Sequence, residues 1–245
     1  MACVLLALVG PAQSWGTTSR FSVRDAGTEP SKSGVVGLLA AALGRRRDEP
    51  IDDLAALRMG VRVDAEGTLQ RDYHTAMGAV RADGSANRSA VVSNRYFLAD
   101  AAFVVALEGS LGLVEALDAA VREPRWPLFL GRKAFPPAGP VSRGVVDAPL
   151  AEALATVPLA DPSMRRTEEL RRRDREGAVV LLRTVIETTP GDANGFRDDQ
   201  PVSFSPRRFV RRSVRTGAVP LEAVAATHGP TWRLGSTGST PDGSA

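Results

Sequence analysis

The sequence predicts an α+β protein built on a ferredoxin-like (RRM-like) domain, and three observations lead to this fold class. Residues 1–131 follow the order β-α-β, a long insertion, then β-α-β, which is typical of an antiparallel sheet with two helices on one face. The chain has 245 residues, 43% of them hydrophobic, so it can bury such a core. Beyond residue 140 strand patterns predominate, which predicts a smaller C-terminal part rich in β-structure.

The first strand is predicted at residues 2–9, an apolar run that Gly10 and Pro11 end. A secretion signal is the alternative, but such a signal begins with a basic segment, and no Lys or Arg precedes Arg20. The run is also far too short to span a membrane. We therefore favour a buried core strand, followed by a polar loop over residues 11–30.

The first helix is predicted over residues 35–44. Its apolar residues repeat at helical spacing, Ser31 or Ser33 can serve as the N-cap, and Gly44 ends it. The next element, residues 57–64, alternates apolar and charged side chains. This alternation predicts a strand with one face in the core and one face in solvent.

A polar and irregular insertion at residues 65–98 separates the two halves of the domain. Two short apolar pieces of it, 90–92 and 96–98, are predicted to pair as an extended hairpin. The second strand-helix-strand pattern then places its elements at residues 101–107, 111–121 and 128–130.

The pattern predicts three further elements after residue 140: a helix at 148–154 and strands at 178–187 and 204–214. We therefore divide the chain into a ferredoxin-like domain, a smaller C-terminal region and a flexible tail, at residues 1–140, 141–234 and 235–245. The tail is rich in Gly and Ser and has no apolar pattern.

Cysteine and histidine usage limits the chemistry of the chain. Its one cysteine, Cys3, lies inside the first apolar run, so no internal disulfide can form, which is typical of a cytoplasmic protein. The two histidines, His74 and His228, lie far apart, and we expect neither a metal nor a cofactor. The net charge is only +3, but residues 201–221 contain five arginines and no acidic residue. Arginine is well suited to phosphate because its planar fork donates two hydrogen bonds at once.

The segment GTEPSKS at residues 27–33 has some features of a phosphate-binding loop. It lacks the glycine before Lys32 and contains Pro30, so nucleotide hydrolysis is not predicted. A helix that begins Ser-Lys-Ser-Gly can still bind an anion through its free N–H groups. Simple helix capping by Ser31 or Ser33 explains the same residues equally well.

The residue types expected of a single-stranded RNA site recur in the loops and in the insertion. Such a site combines a basic groove with aromatic side chains on which bases stack. The predicted RNA-binding residues are Gln13, Ser14, Trp15, Arg20, Arg24, Lys32, Ser33, His74, Arg88, Arg95, Arg132 and Lys133.

A metal-independent endoribonuclease is the alternative function. Tyr73 and His74 could supply a base and an acid, and the distant Lys133 could supply a cation for the phosphate. Adjacent residues of a strand point to opposite faces, however, so Tyr73 and His74 need not share a site.

Local strings of this sequence resemble the CasD family, the fifth Cas family, found in the type I-E Cascade complex of bacterial CRISPR defence. The strings occur in the family's order over about residues 3–140 and are LALVGPAQSWG, PSKSGVVGLLAAALG, GVRVD, RDYHT, FLADAAFVVALEG and WPLFLGRKAFPPAGP. Phe135 differs from the cysteine of many members. The resemblance implies a RAMP-type domain with a β-hairpin thumb at about residues 78–98.

The resemblance also implies a function and its partners. A CasD-like subunit caps the crRNA by gripping its 5′ handle, with the loops at residues 13–15, 32–33 and 132–133 facing that handle. It contacts the Cascade backbone subunit and the large subunit, and it meets target DNA indirectly through the complex. A separate subunit cuts the precursor RNA in type I-E, so the chain is expected to be non-catalytic. Type I-C relatives do cut, which keeps the nuclease alternative open.

Overall fold

A seven-stranded antiparallel sheet and a small second sheet form the fold of the computed structural model, which describes residues 1–17, 22–81, 83–85, 87, 89–161, 170, 172–173 and 175–221. The strands are β1 Ala2–Val9, β2 Ala12–Gln13, β3 Val23–Arg24, β4 Arg58–Ala65, β5 Thr68–Ala76, β6 Val91–Ala99, β7 Ala102–Gly109, β8 Ser142–Val146, β9 Leu181–Glu187, β10 Gly195–Phe204 and β11 Arg207–Pro220. The helices are α1 Lys32–Leu43, α2 Asp52–Ala55, α3 Leu111–Arg122 and α4 Leu150–Thr156, with a 3-10 turn at Pro190–Asp192.

The large sheet has the strand order β10-β11-β9-β4-β7-β1-β8, and both of its faces are covered over the central strands. Alternate residues of β1 point to opposite faces, so Val4 and Leu6 pack under α1 and α3, whereas Cys3 and Leu5 pack under α4. The mixed α+β class predicted from the sequence is therefore confirmed. Among the described residues, no helix is long and apolar enough to cross a bilayer.

The sequence pattern located the central elements well. β1 spans the predicted residues, and α1 begins one residue after its N-cap, Ser31, whose Oγ accepts the Gly34 N–H. Gly44 ends α1 at a φ of +72°, a left-handed conformation that favours glycine. These elements are strongly apolar and have clear end signals, so periodicity is sufficient to find them.

The short strand predicted at residues 128–130 is wrong. Leu130 is buried in the core, but its N–H donates to Phe135 O within an irregular turn. The strand that pairs with the free side of β1 is instead β8, Ser142–Val146. An apolar triplet shows that side chains are buried and does not show that the backbone joins a sheet.

The predicted pairing of residues 90–92 with 96–98 is also wrong. Residues 91–92 and 96–98 belong to one strand, β6, which pairs antiparallel with β5 from Thr68 opposite Ala99 to Ala76 opposite Val91. Most of β5 is exposed, so its sequence lacks the alternation that reveals a half-buried strand. The resulting hairpin spans residues 68–99, so it fills most of the insertion predicted at 65–98 and begins before the thumb expected at about 78–98.

The prediction of a solvent face on β4 is wrong as well. Arg62 and Asp64 have relative exposures of 0% and 3%, because α4 and the segment after it cover this face. Arg62 Nε donates to Asp64 Oδ1 at 2.7 Å, and the same guanidinium donates to Leu154 O and Val157 O. Both faces of the strand are therefore buried, and its charges are neutralised internally.

The C-terminal strands extend the same sheet. β9 pairs with β4, and β8 pairs with β1, so hydrogen bonds cross the predicted domain boundary at residue 140 on both sides of the central strands. β9 and β11 correspond to predicted strands, whereas β10 was not predicted. The predicted tail at 235–245 lies outside the described residues.

Cys3 is expected to be unreactive in the folded protein. Burial, followed by the nearby Glu108 carboxylate, raises the pKa of its thiol to about 12. At pH 8 roughly one thiol in 10,000 would then be the nucleophilic thiolate. Iodoacetamide should therefore label Cys3 only after the protein unfolds, as measured by mass spectrometry with and without urea. Rapid labelling of the native protein would contradict the buried position.

Candidate nucleic-acid interface

One face of the β5–β6 hairpin brings together four of the residues that the sequence suggested, Arg24, His74, Arg95 and Arg132. Residues directly opposite each other in a ladder point to the same face, and Asp72 lies opposite Arg95. β3 runs parallel to β6 and places Arg24 beside Arg95. His74, two residues from Asp72, shares this face with Ser93.

Arg132 lies over this face and completes a set of three arginines, Arg24, Arg95 and Arg132, which we call the arginine cluster. Arg132 Nη2 donates to Tyr96 O at 2.7 Å, and its guanidinium lies 5.6 Å from the centre of the Phe135 ring. Burial and then the Arg95 charge lower the pKa of Arg132, and Arg24 acts in the same direction. The three guanidinium groups therefore repel one another, and this arrangement favours an incoming anion.

Carboxylates only partly offset this positive charge. Asp72 and Asp25 raise the pKa of Arg132, so both lie near the cluster. Within the described part of the chain, however, no member of the cluster forms an ion pair. Arginines elsewhere do, as shown by Arg62 with Asp64 and by Arg183 with Glu29. The cluster thus retains charge for a ligand.

The loop that carries Arg132 rests on the loop after β1. Ser14 N donates to Leu130 O at 3.1 Å, and Ser14 Oγ donates to Tyr96 O, the same carbonyl that binds Arg132. Gly131 adopts a φ of +86°, and a Cβ built there would lie 1.8 Å from Ser14 O. The structure therefore brings together two loops that are more than 100 residues apart, and the contact leaves no space for a side chain at residue 131.

Gly131→Ala is expected to weaken RNA binding by displacing Arg132. The substitution introduces strain at a left-handed φ and a clash with backbone, which together cost roughly 1–3 kcal/mol. Gly139→Ala is the matched control, because no atom lies within 4 Å of a Cβ built there. RNA affinity and thermal unfolding should be measured for both variants. Equal RNA affinity of the two would show that the loop position does not matter.

Gln13 and Trp15 do not face solvent, which corrects their predicted role as RNA contacts. Their relative exposures are 0% and 1%. Gln13 Nε2 donates to Leu8 O and Ala101 O, while Gln13 Oε1 accepts from Trp15 Nε1 at 3.1 Å. These side chains join the ends of the central strands to the loop. Ser14 is also buried and supports the same loop.

Lys32 requires the same correction. It is 1% exposed, and its Nζ donates to both carboxylate oxygens of Glu187 at 3.1 and 2.8 Å. Burial lowers the pKa of Lys32, and Glu187 partly opposes this shift. The backbone N–H of Lys32 donates to Asp199 Oδ2. An internal carboxylate thus occupies the start of α1, where the sequence suggested an external anion, and Ser33 beside it is half-buried.

The residues of the nuclease alternative do not form one site. Tyr73 is 65% exposed and lies on the face of β5 opposite to His74, as strand alternation requires. His74 is half-buried, and its Nδ1 has no hydrogen-bond partner. Lys133 is exposed next to Arg132. Ser93 lies opposite His74, and Tyr96 O accepts a hydrogen bond from Arg132. These two residues of β6 are about 10 Å apart along the strand.

Two predicted contacts, Arg20 and Arg88, lie outside the described residues, as does His228. In the described part of the chain, no group of three or more His, Cys, Asp or Glu residues could hold a metal ion. Two open cavities, of about 230 and 640 Å³, are lined by residues other than the arginine cluster. Within the cluster Arg24 is exposed, and Arg95 and Arg132 are half-buried.

Sequence reasoning missed three contributors to this surface. Phe97 packs against Phe135 with ring centres 5.6 Å apart, and Phe135 supports Arg132. Asp72 is a carboxylate near the cluster that raises the pKa of Arg132. The alternating pattern of β6 could have indicated Phe97, but nothing local indicates that Phe135 contacts a strand nearly 40 residues earlier.

The comparisons with known proteins agree with one another. The family described as CRISPR-associated protein (Cas_Cas5) matches residues 3–218. The CRISPR system Cascade subunit CasD of Escherichia coli (strain K12) is 35% identical over 162 residues, which cover 59% of this chain and 71% of that protein. A solved Cas protein is 43% identical with a TM-score of 0.68, over 91% of this chain and 97% of its own. A chain of a CRISPR RNA-guided surveillance complex is 33% identical with a TM-score of 0.74, over 94% of each chain.

Proposed function

The chain belongs to the CRISPR-associated Cas5 family, and from this premise we propose that it is a non-catalytic, crRNA-binding subunit of a type I-E Cascade complex. In this role it caps the crRNA by holding the 5′ handle. The relatives named as a Cascade subunit and as part of an RNA-guided surveillance complex support this assignment.

The arginine cluster is the observation that carries the proposal. Three guanidinium groups share one face of a hairpin, form no ion pair among the described residues, and lie beside the Phe97 and Phe135 rings. Phosphates supply most of the affinity in nucleic-acid binding, and arginine binds them through two hydrogen bonds. The handle would lie across this face, with Lys133 and the Ser33 edge of α1 as further contacts.

The fold is consistent with a RAMP-type domain. The strand order β8-β1-β7-β4, with α1 and α3 on one face, is the order expected of a ferredoxin-like unit. In this proposal the β5–β6 hairpin is the thumb, and it also contacts the Cascade backbone subunit. The large subunit is the second protein partner, and target DNA is met through the assembled complex in the cytoplasm.

One feature of the hairpin supports a role without catalysis. The side chains of Tyr73 and His74 lie on opposite faces of β5, so they cannot both act on one phosphodiester. General acid–base catalysis requires both groups within hydrogen-bond reach of the reacting atoms. We therefore assign crRNA cleavage to another component of the system.

The test is to isolate the tagged protein from its host without crosslinking and to sequence the RNA that comes with it. We expect short RNAs with a common 5′ end, together with several other proteins. Purified chain incubated with repeat RNA in EDTA should leave that RNA intact. Absence of RNA and partners would overturn the capping role, and cleavage that His74→Ala abolishes would replace it with the nuclease.

A further inference from the structure

A second basic surface lies on β11, at the end of the large sheet away from the hairpin. β11 is regular, so Arg207, Phe209, Arg211, Ser213 and Arg215 alternate onto one face. We call these five residues the β11 row. On the opposite face of the strand Arg212 and Val214 are buried, whereas Arg208 and Val210 are exposed.

The β11 row is open to solvent. Ile186, which lies opposite Arg215, packs against the apolar cluster covered by α4, so the row belongs to the α4 face of the sheet. On β10, Phe196 lies opposite Ser213 and is 56% exposed, which is unusual for a large aromatic side chain. The Arg211 side chain is 63% exposed. This end of the α4 face therefore remains available to a partner.

Arginine and aromatic side chains are paired along this surface. The Arg207 guanidinium lies 5.7 Å from the centre of the Phe209 ring, and Arg211 lies 5.7 Å from that of Phe196. Stacked guanidinium and phenyl groups form the kind of platform on which nucleic-acid bases stack, whatever their sequence. Arg207, Arg211 and Arg215 follow one another at intervals of about 13 Å along the strand.

The charge of the row also suits a polyanion. Asp198 accepts two hydrogen bonds from Arg211, at 2.7 and 3.1 Å, but both partners are exposed, so a phosphate can compete with this carboxylate in solvent. Arg212 is different, because it is 7% exposed and its guanidinium binds Asp199. The acid-free run at 201–221 therefore divides into one internal arginine and a set of exposed ones.

We propose that the β11 row, together with Phe196, binds a single strand of DNA without reading its sequence. This proposal rests on the proposed function, because an RNA-guided complex that opens a duplex releases one strand that pairs with nothing. The crRNA handle is assigned to the arginine cluster. The β11 row and the arginine cluster lie at opposite ends of β4, a strand about 25 Å long. A separate surface of arginine and phenylalanine suits the released strand.

The first test places a photocrosslinking residue in the row. Phe196→p-benzoylphenylalanine is assembled into the crRNA-loaded complex, given a target duplex with each strand labelled differently, and irradiated. We expect crosslinks to the strand that does not pair with crRNA, and none from Arg46→p-benzoylphenylalanine, an exposed control position. Crosslinks to crRNA, to protein only or to nothing would overturn the proposal.

The second test measures affinity and does not depend on the photoprobe. Arg211→Ala and Phe196→Ala should each weaken binding of a fluorescein-labelled 20-nucleotide oligo(dT) to the crRNA-loaded complex about fivefold or more, with Arg46→Ala unchanged. The crRNA content of each complex is measured separately and should stay at the wild-type level. A variant complex that loses crRNA but binds oligo(dT) normally would instead contradict the assignment of crRNA to the arginine cluster and of DNA to the β11 row. Stronger binding of the matching RNA oligonucleotide than of oligo(dT) would reject DNA as the ligand.

Discussion

Replacing both Arg95 and Arg132 by alanine is expected to lower the affinity of the chain for handle RNA about 100-fold. A hydrogen bond to a charged group contributes roughly 1.5–3 kcal/mol, so two lost phosphate contacts cost about 3 kcal/mol or more. The slope of log Kobs against log salt concentration should also become shallower by about 1.4, because each neutralised phosphate of a single strand contributes about 0.7 to that slope. Fluorescence anisotropy of labelled handle RNA at several salt concentrations measures both quantities.

Two controls distinguish this effect from misfolding. Neither arginine forms an ion pair among the described residues, so the double variant should remain folded, with a modest loss of thermal stability from the missing contacts of Arg132 with Tyr96 O and the Phe135 ring. Arg46→Ala removes one exposed arginine, which is paired with the nearby Asp48, and it should bind RNA normally. Arg132→Lys keeps the charge but loses the planar fork, so we expect an intermediate affinity. Unchanged affinity and salt slope in the double variant would remove the cluster from the interface.

Arg62→Ala is expected to lower the free energy of unfolding by about 3–5 kcal/mol, the range for breaking a buried ion pair. The substitution leaves the Asp64 carboxylate buried without its partner. It also removes the donor to the Leu154, Val157 and Pro158 carbonyls, which fix the C-terminal end of α4. Urea unfolding followed by circular dichroism measures the change.

A paired variant tests the cause of this loss. Arg62→Met with Asp64→Leu removes both buried charges and should be more stable than Arg62→Ala alone, because no uncompensated carboxylate remains. The three carbonyls still lack a donor, so the double variant should not reach wild-type stability. A change below about 1 kcal/mol in Arg62→Ala would mean that solvent reaches Asp64 and that this face of β4 is less tightly covered.

The central part of the fold could be predicted from the sequence because its signals are local. β1, α1, β7 and α3 are apolar segments with distinct end signals, and the structure places their ends within three residues of the predicted positions. β5 could not be found in this way. A hairpin strand exposed on both faces has no hydrophobic alternation, and only its pairing with β6 defines it.

The candidate site shows the same division. The sequence by itself determined an arginine-rich chain whose loops and insertion carry basic and aromatic residues, and the family to which those strings belong. It could not decide which charges remain free. Lys32 is neutralised by Glu187 and Arg212 by Asp199, whereas Arg24, Arg95 and Arg132 meet on one face with no such partner among the residues that the structure describes. Glu187 lies 155 residues from Lys32 in the chain. Local pattern carries no information about such a contact, so only the tertiary structure decides which cations are internal and which can bind a ligand.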